Sequence, residues 1–287
     1  MNGCFELMVY NIDRGLSAWF STPTGANIMF DLGRSYSFSP LLDVYSRGVR
    51  TLDAVFVTHP HADHFNDISM LGRFHVSRLF RLTVLPSQVN YSQQWRYARA
   101  NEYAQLVSSY QAHHSVHPYE MSNMGCNNGS YSTPDGLVVE TFQPAGSFAD
   151  VNDMSLVAVV SFNGVKIILS GDNGPRSWQS LLLDSRFRSA IVGTRVLLAP
   201  HHGRMSGYSV DLMSALGQLD ACLVSDGRAV LTNAVSAYDQ WCRGVTAVVR
   251  GNTQYARKCL TTRNDGHIRL FSQPGVSPWG EYSIRTF

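Results

Sequence analysis

The sequence predicts a four-layer α/β sandwich, with two mixed β-sheets packed face to face and helices outside. Three observations point there. Short apolar runs alternate with amphipathic segments through both halves of the chain. Three of those runs end abruptly in histidine or aspartate, at His59, Asp172 and His201. Because candidate ligands spread from residue 59 to residue 202 must meet to act together, the chain is expected to form a single domain over 1–287; its 287 residues, 44% of them hydrophobic, suffice for one large core.

Taken in order, residues 4–12, 17–20 and 28–33 read as an antiparallel meander, turned by Asp13-Arg14-Gly15 and by Pro23-Thr24-Gly25. Residues 53–57, Asp-Ala-Val-Phe-Val, form a buried strand that stops at Thr58-His59-Pro60-His61-Ala62-Asp63-His64. Residues 67–71 open a helix. Residues 73–81 interleave arginines with aromatics; a helix-to-strand segment is preferred over a nucleic-acid surface. Residues 92–110 carry the apolar face of a helix, and 122–136 form a loop rich in Asn, Gly and Ser, either a flap or a long connection. The clearest hairpin is 155–162 and 165–170 around Asn163-Gly164, presenting Asp172 at its end. Residues 178–187 read as a surface helix, and 195–199 as a strand delivering His201 and His202.

The chemistry concentrates in the first of these strand ends. His59 and His61 can converge on one cation through imidazole nitrogen, while Asp63 and His64 turn toward a second. Asp172 offers a carboxylate able to bridge two cations, with Gly171 allowing close backbone approach. Of the two later histidines, His201 is taken as the ligand, with His202 in an outer position or against substrate; the reverse stays open.

His59-x-His61-x-Asp63-His64 resembles the signature of the metallo-β-lactamase superfamily of metallohydrolases. Leu169-Ser170-Gly171-Asp172, Ala199-Pro200-His201-His202-Gly203 and Asn152-Asp153-x-Ser155-Leu156 resemble the hydrolase domain of ComEC-type competence proteins and related phosphorylcholine esterases. The similarity runs from the first strands to Asn264-Asp265-Gly266. It implies the metallo-β-lactamase fold, a site with metal ligands His59, His61, Asp63, His64, Asp172 and His201, and catalytic roles for Asp63 and His202. Asp31, in an early Asp-x-Gly, would support the site from outside, or merely form a turn. The chain departs from ComEC-type patterns in having Phe65-Asn66-Asp67 in place of glycines, Arg204-Met205 after the second motif, and Thr232-Asn233-Ala234 near the place of a Gly-His-Pro. Arg204, Ser225 and Asn233 then become the candidate substrate contacts. His113, His114 and His117 stand where many superfamily members carry a further metal histidine, a role not assigned here to His117.

Two divalent cations, zinc or manganese, would share a water and lower its pKa, so the expected reaction is phosphodiester cleavage, with DNA as the candidate partner. The alternatives are a hydrolase of a small ester, such as a phosphorylcholine ester, lactone or thioester, and a non-catalytic binding protein. The net charge of +2 does not itself argue for nucleic acid, and the preference for Arg over Lys, which stands only at 166 and 258, is attributed to base composition. Five scattered cysteines without C-x-x-C spacing indicate neither a disulfide framework nor a thiolate metal site. The absence of a basic-then-apolar leader and of a membrane-length apolar run makes a cytoplasmic protein the expectation.

Overall fold

A computed structural model describes residues 5–81, 129–146, 150–227, 233–249, 253–272 and 282–287. The first half supplies β1 (Glu6–Val9), β2 (Ala18–Ser21), β3 (Asn27–Phe30), α1 (Pro40–Ser46), β4 (Thr51–Leu52), β5 (Ala54–Val57), β6 (His75–Val76) and β7 (Leu79–Arg81). Then follow β8 (Gly129–Ser132), β9 (Val138–Phe142), β10 (Val157–Phe162), β11 (Val165–Leu169), α2 (Pro175–Leu183), α3 (Ser185–Ile191), β12 (Val196–Leu198), α4 (Val210–Leu216) and β13 (Ala221–Val224). The last part adds α5 (Val235–Asp239), β14 (Val245–Val249), β15 (Thr253–Arg257), β16 (Cys259–Thr261), α6 (Thr262–Asp265), β17 (Ile268–Ser272) and β18 (Tyr282–Thr286).

Two large sheets result. One has the order β15-β14-β18-β17-β1-β2-β3-β5-β7, the other β16-β13-β12-β11-β10-β9-β8, and β4 pairs with β6 apart from both. Period-two alternation sorts the side chains. Leu7, Val9, Phe20 and Phe30 of the first sheet meet Ala158, Val160, Ile167 and Leu198 of the second in one buried cluster between the sheets. The opposite faces take helices: Val157, Val159, Ile168 and Leu197 bury against Trp178, Leu181, Phe187 and Met213, while Met8, Met29 and Val55 bury against Leu41 and Val44 of α1. The chain therefore has the expected αββα layering.

The meander stands as β1, β2 and β3, paired antiparallel. The hairpin stands as β10 and β11, with Phe162 opposite Val165 and positive φ at both Asn163 and Gly164, as a two-residue primed turn requires.

Several elements differ from expectation for local reasons. Residues 68–73 form a 3-10 helix, and the Asp67 carboxylate before it turns away to accept from Ser39 Oγ and Leu41 N of α1. The helix expected over 178–187 is two helices, because Asp184 leaves the helical region and caps α3 by accepting from Arg186 N. That unit is no mere surface helix, since Trp178, Leu181 and Phe187 are fully buried. The arginines of 73–81 serve packing: Arg73 lies over Tyr45 and Arg78 over Tyr131. Residues 129–136 form β8 and the turn into β9 rather than a loop, while 122–128, the 92–110 segment and His113, His114 and His117 lie outside the described residues. Cys222, Cys242 and Cys259 are free and buried in the core beneath the helices.

Trp178 has no exposed surface and its Nε1 donates to Gly207 O at 3.3 Å, tying α2 to the loop that follows the two late histidines. Trp178→Ala is expected to cost about 3–5 kcal/mol. Urea denaturation followed by circular dichroism measures it, and a loss under about 1 kcal/mol would contradict this account of the outer layer.

Candidate metal centre

The site gathers at the ends of β5, β11, β12 and β13. After β5 the chain passes through Thr58 and His59 into a short 3-10 turn, Ala62–His64, which brings Asp63 and His64 back over the strand end. After β11 it turns at Gly171, with φ +57, to place Asp172; a Cβ on Gly171 would sit 2.6 Å from Ser155 Cβ. That contact leaves no room for any other residue.

The second turn is strained. His201 and His202 both have left-handed backbone, φ 50 and 55, a conformation costing roughly 1–3 kcal/mol per residue away from glycine. It persists because His201 N donates to Gly171 O at 3.1 Å, Arg204 N donates to His201 O at 3.0 Å, and Gly207 fits beneath, where a Cβ would lie 2.6 Å from Pro200 O. Five non-glycine residues among those described have positive φ. Asp31, His201 and His202 belong to this region, Asp13 lines the cavity beside it, and Asn163 alone is a hairpin turn.

The result is a convergence of imidazole nitrogens. His64 Nδ1 lies 2.7 Å from Asp31 Oδ2, and since a buried carboxylate flanked by donors accepts, Nδ1 carries the proton and Nε2 faces inward. His202 Nδ1 donates to Ser225 O at 3.1 Å, again leaving Nε2 inward. Thr58 Oγ1 donates to Asp31 Oδ2 at 2.8 Å and so can accept from His59 Nδ1 at 3.1 Å. The inward nitrogens close on carboxylates: His64 Nε2 is 3.2 Å from His202 Nε2 and 3.3 Å from Asp172 Oδ1, His202 Nε2 is 3.3 Å from Asp172 Oδ2, and 3.7 Å separates it from Asp63 Oδ2. His59 Nε2 is buried without a hydrogen-bond partner, 3.9 Å from Asp172 Oδ2.

Two ligand sets follow, His59 with His64 and Asp172, and Asp63 with His64 and His202, each within 4.8 Å. Their donor chemistry fits a divalent cation. Outward-held Nδ1 protons are the arrangement that orients metal-binding imidazoles, and two inward Nε2 atoms 3.2 Å apart need a shared proton or a metal ion between them. Burial alone would lower His64, yet Asp172 and Asp31 on either side hold it well above the usual histidine value. Burial would likewise raise Asp172, but His202 and His64 bring it well below the carboxylate range, while burial and the neighbouring His64 push His59 well down. The centre thus presents a charged carboxylate and a neutral imidazole where a cation would sit.

The expected residues do not all take their expected places. Asp63, His64 and Asp172 lie in the clusters, and Asp31 supports them from outside. His61 is in neither cluster; its ring stands 4.7 Å from that of His59, with burial lowering its pKa. Of the two late histidines, the one that enters a cluster is the one expected outside. His202 enters the cluster, whereas His201, turned the other way by its own left-handed backbone, sets Nδ1 3.0 Å from Ser206 Oγ. Arg204 lines a cavity of about 360 Å³ that His202 also walls. Ser225 lines it too, but its hydroxyl is spent on Gly15 O at 2.6 Å, and Asn233 uses Oδ1 to accept from Val235 N at 2.7 Å at the start of α5. Both oxygens therefore already have a partner within the chain.

Two residues escaped the sequence. Thr58 ties Asp31, His59 and His64 together through one hydroxyl, and Ser155 Oγ accepts from Asp172 N at 3.1 Å while lying 3.3 Å from His59 Nδ1. Thr58 gave a signal in standing directly before His59, but its role needs β3 beside β5.

Residues 13–75 match the model of the metallo-β-lactamase superfamily. No curated protein sequence matches the chain. Similar solved structures include a metallo hydrolase from the hyperthermophilic archaeon Ignicoccus hospitalis KIN4/I, 15% identical over 77% of this chain and 82% of that one with TM-score 0.42. A mutant of the CmlA β-hydroxylase is 13% identical over 82% of this chain, with TM-score 0.50; the match spans 48% of that protein. The short form of human tRNase Z is 13% identical over 68% of this chain and 77% of that one, with TM-score 0.38. At 13% identity the CmlA likeness is one of fold alone, and with the match over residues 13–75 the fold is that of the metallo-β-lactamases.

Asp31→Asn removes the acceptor that orients His64 without touching an inward atom. It is expected to weaken divalent-cation affinity roughly 10–100-fold, read by competition with a chelator of known affinity. Unchanged affinity would mean that His64 needs no such anchor.

Proposed function

We propose that the chain is a metal-dependent hydrolase that cleaves phosphodiester bonds. The observation that carries the reading is the meeting of His64 Nε2 and His202 Nε2 on the two oxygens of Asp172, each 3.3 Å away. Two divalent ions are proposed, and His59, His61, Asp63, His64, Asp172 and His202 are the residues that would hold them. Zinc and manganese both suit a set of nitrogen and carboxylate donors.

Divalent cations held there would lower the pKa of a water toward neutrality and offset negative charge developing on phosphate. The chain supplies the rest. Asp31 and the Ser225 carbonyl hold the two imidazoles in one tautomer, so that their Nε2 atoms need no reorganisation during reaction. Asp63, whose side chain is 29% exposed, is the carboxylate of the cluster open to solvent and would take a proton from attacking water. His201 is left outside the ligand set, a position that favours contact with substrate over binding metal.

Phosphodiesters are preferred over carboxylic esters because the cavity beside His202 carries the guanidinium groups of Arg14 and Arg204. DNA is the proposed natural substrate, following the resemblance to ComEC-type hydrolase domains. No helix among the described residues is long and apolar enough to cross a membrane. Three buried free thiols suit a reducing compartment, so a cytoplasmic site of action is proposed.

Protein loaded with manganese or zinc is expected to degrade DNA or cleave a chromogenic phosphodiester, to lose this with EDTA, and to regain it when the metal returns. Asp172→Ala should be inactive in the same assay. Inertia toward every diester would overturn the reading, whereas cleavage of the small diester alone would remove DNA from it. A second comparison concerns the paired histidines: His202→Ala is expected to lower activity more than about 100-fold, and His201→Ala far less. The opposite order would restore His201 as the ligand.

A further inference from the structure

The cavity walled by His202 continues away from the candidate metal ligands and is lined also by Asp13, Arg14, Arg204, Ser225 and Asp226. Its volume, about 360 Å³, lies in the range that holds a nucleotide-sized group. It is a built cavity. Ser225 Oγ donates to Gly15 O at 2.6 Å, Leu16 N donates to Asp63 O at 3.2 Å, and a Cβ on Gly227 would fall 1.4 Å from Asp13 O. The turn bearing Arg14 is thus locked between the histidine loop and the turn after β13.

Its charges are uneven. Most of the described arginines are committed: Arg195 to Asp220 at 2.6 Å, Arg257 to Asp265 at 2.8 Å, Arg269 to Glu6 at 2.8 Å. Asp226 is itself neutralised by Arg263 at 2.9 Å. Among the described residues, Arg14 and Arg204 have no hydrogen bond or ion pair of their side chains, leaving two guanidinium groups against the single carboxylate of Asp13. Two uncommitted forks in one cavity, next to a site proposed to hold a phosphodiester, form a site for a further phosphate.

We propose that Arg14 and Arg204 bind a second phosphate of the substrate, so that the chain selects a nucleotide phosphodiester flanked by another phosphate, as in a polynucleotide, over an isolated diester. This rests on the phosphodiesterase reading above. Arg14 thereby becomes a specificity-determining residue, positioned by the turn between β1 and β2, and Arg204 its partner across the cavity.

The test is equilibrium binding of two probes to metal-loaded protein, thymidine 3′,5′-bisphosphate and thymidine 5′-monophosphate, with Arg176→Ala as a charge-matched control at an exposed position outside the cavity. Wild type and Arg176→Ala should prefer the bisphosphate by roughly tenfold or more, and Arg14→Ala and Arg204→Ala should each bring the ratio toward one. Because Arg14 is exposed, its truncation leaves the fold intact. Equal wild-type affinities, or a preference surviving in both variants, would overturn the subsite. Diester cleavage run in parallel separates the two proposals. A preference without cleavage sinks the phosphodiesterase reading and keeps the anion subsite, while cleavage without preference does the reverse.

Discussion

Asp31 is a carboxylate with no exposed surface, and the geometry of the whole centre hangs on how it is satisfied. It accepts from Thr58 N at 2.7 Å, from Thr58 Oγ1 at 2.8 Å and from His64 Nδ1 at 2.7 Å. Burying an ionised carboxylate costs several kcal/mol, so these three bonds can be neither lengthened nor lost without exposing that cost. The constraint runs outward from there. It fixes the end of β5 against the end of β3, sets the hydroxyl of Thr58 beneath His59, and turns His64 so that its free nitrogen meets Asp172.

The other half of the centre is held by strain rather than by burial of charge. His201 and His202 keep a backbone that side-chain-bearing residues avoid, and the energy is met by close packing at Gly171, Gly203 and Gly207. A Cβ on Gly203 would come within 2.6 Å of Val224 Cγ1, so the turn lies directly on β13. Strand ends of the second sheet are thereby brought against the first sheet's histidine loop. The two-sheet core is what joins these halves, because neither sheet alone carries both Asp31 and Asp172.

Charge is distributed in keeping with that plan. Many of the described arginines far from the centre stack on aromatics or pair with carboxylates, while Arg14 and Arg204 line the cavity beside His202. A net charge of +2 over the whole chain therefore says little about the charge lining any one cavity.

Much of this was legible in residue order. Alternating apolar runs gave the meander, the Asn163-Gly164 hairpin and the layered class, because period and turn chemistry are local properties. The run from His59 to His64 and the strand-end Asp172 marked the centre for the same reason. What residue order left open was which atoms meet. Two adjacent histidines look alike in sequence, and only the left-handed turn decides that His202 points inward and His201 toward Ser206. The structural duties of Ser225 and Asn233, the hydroxyls of Thr58 and Ser155, and the pairing of Arg14 with Arg204 all join residues far apart in the chain. Layers and the kinds of donor side chain at the strand ends can be read from residue order, since they follow from local periodicity and composition; their partners cannot, since hydrogen bonds and charge neutralisation depend on distances that chain order does not contain.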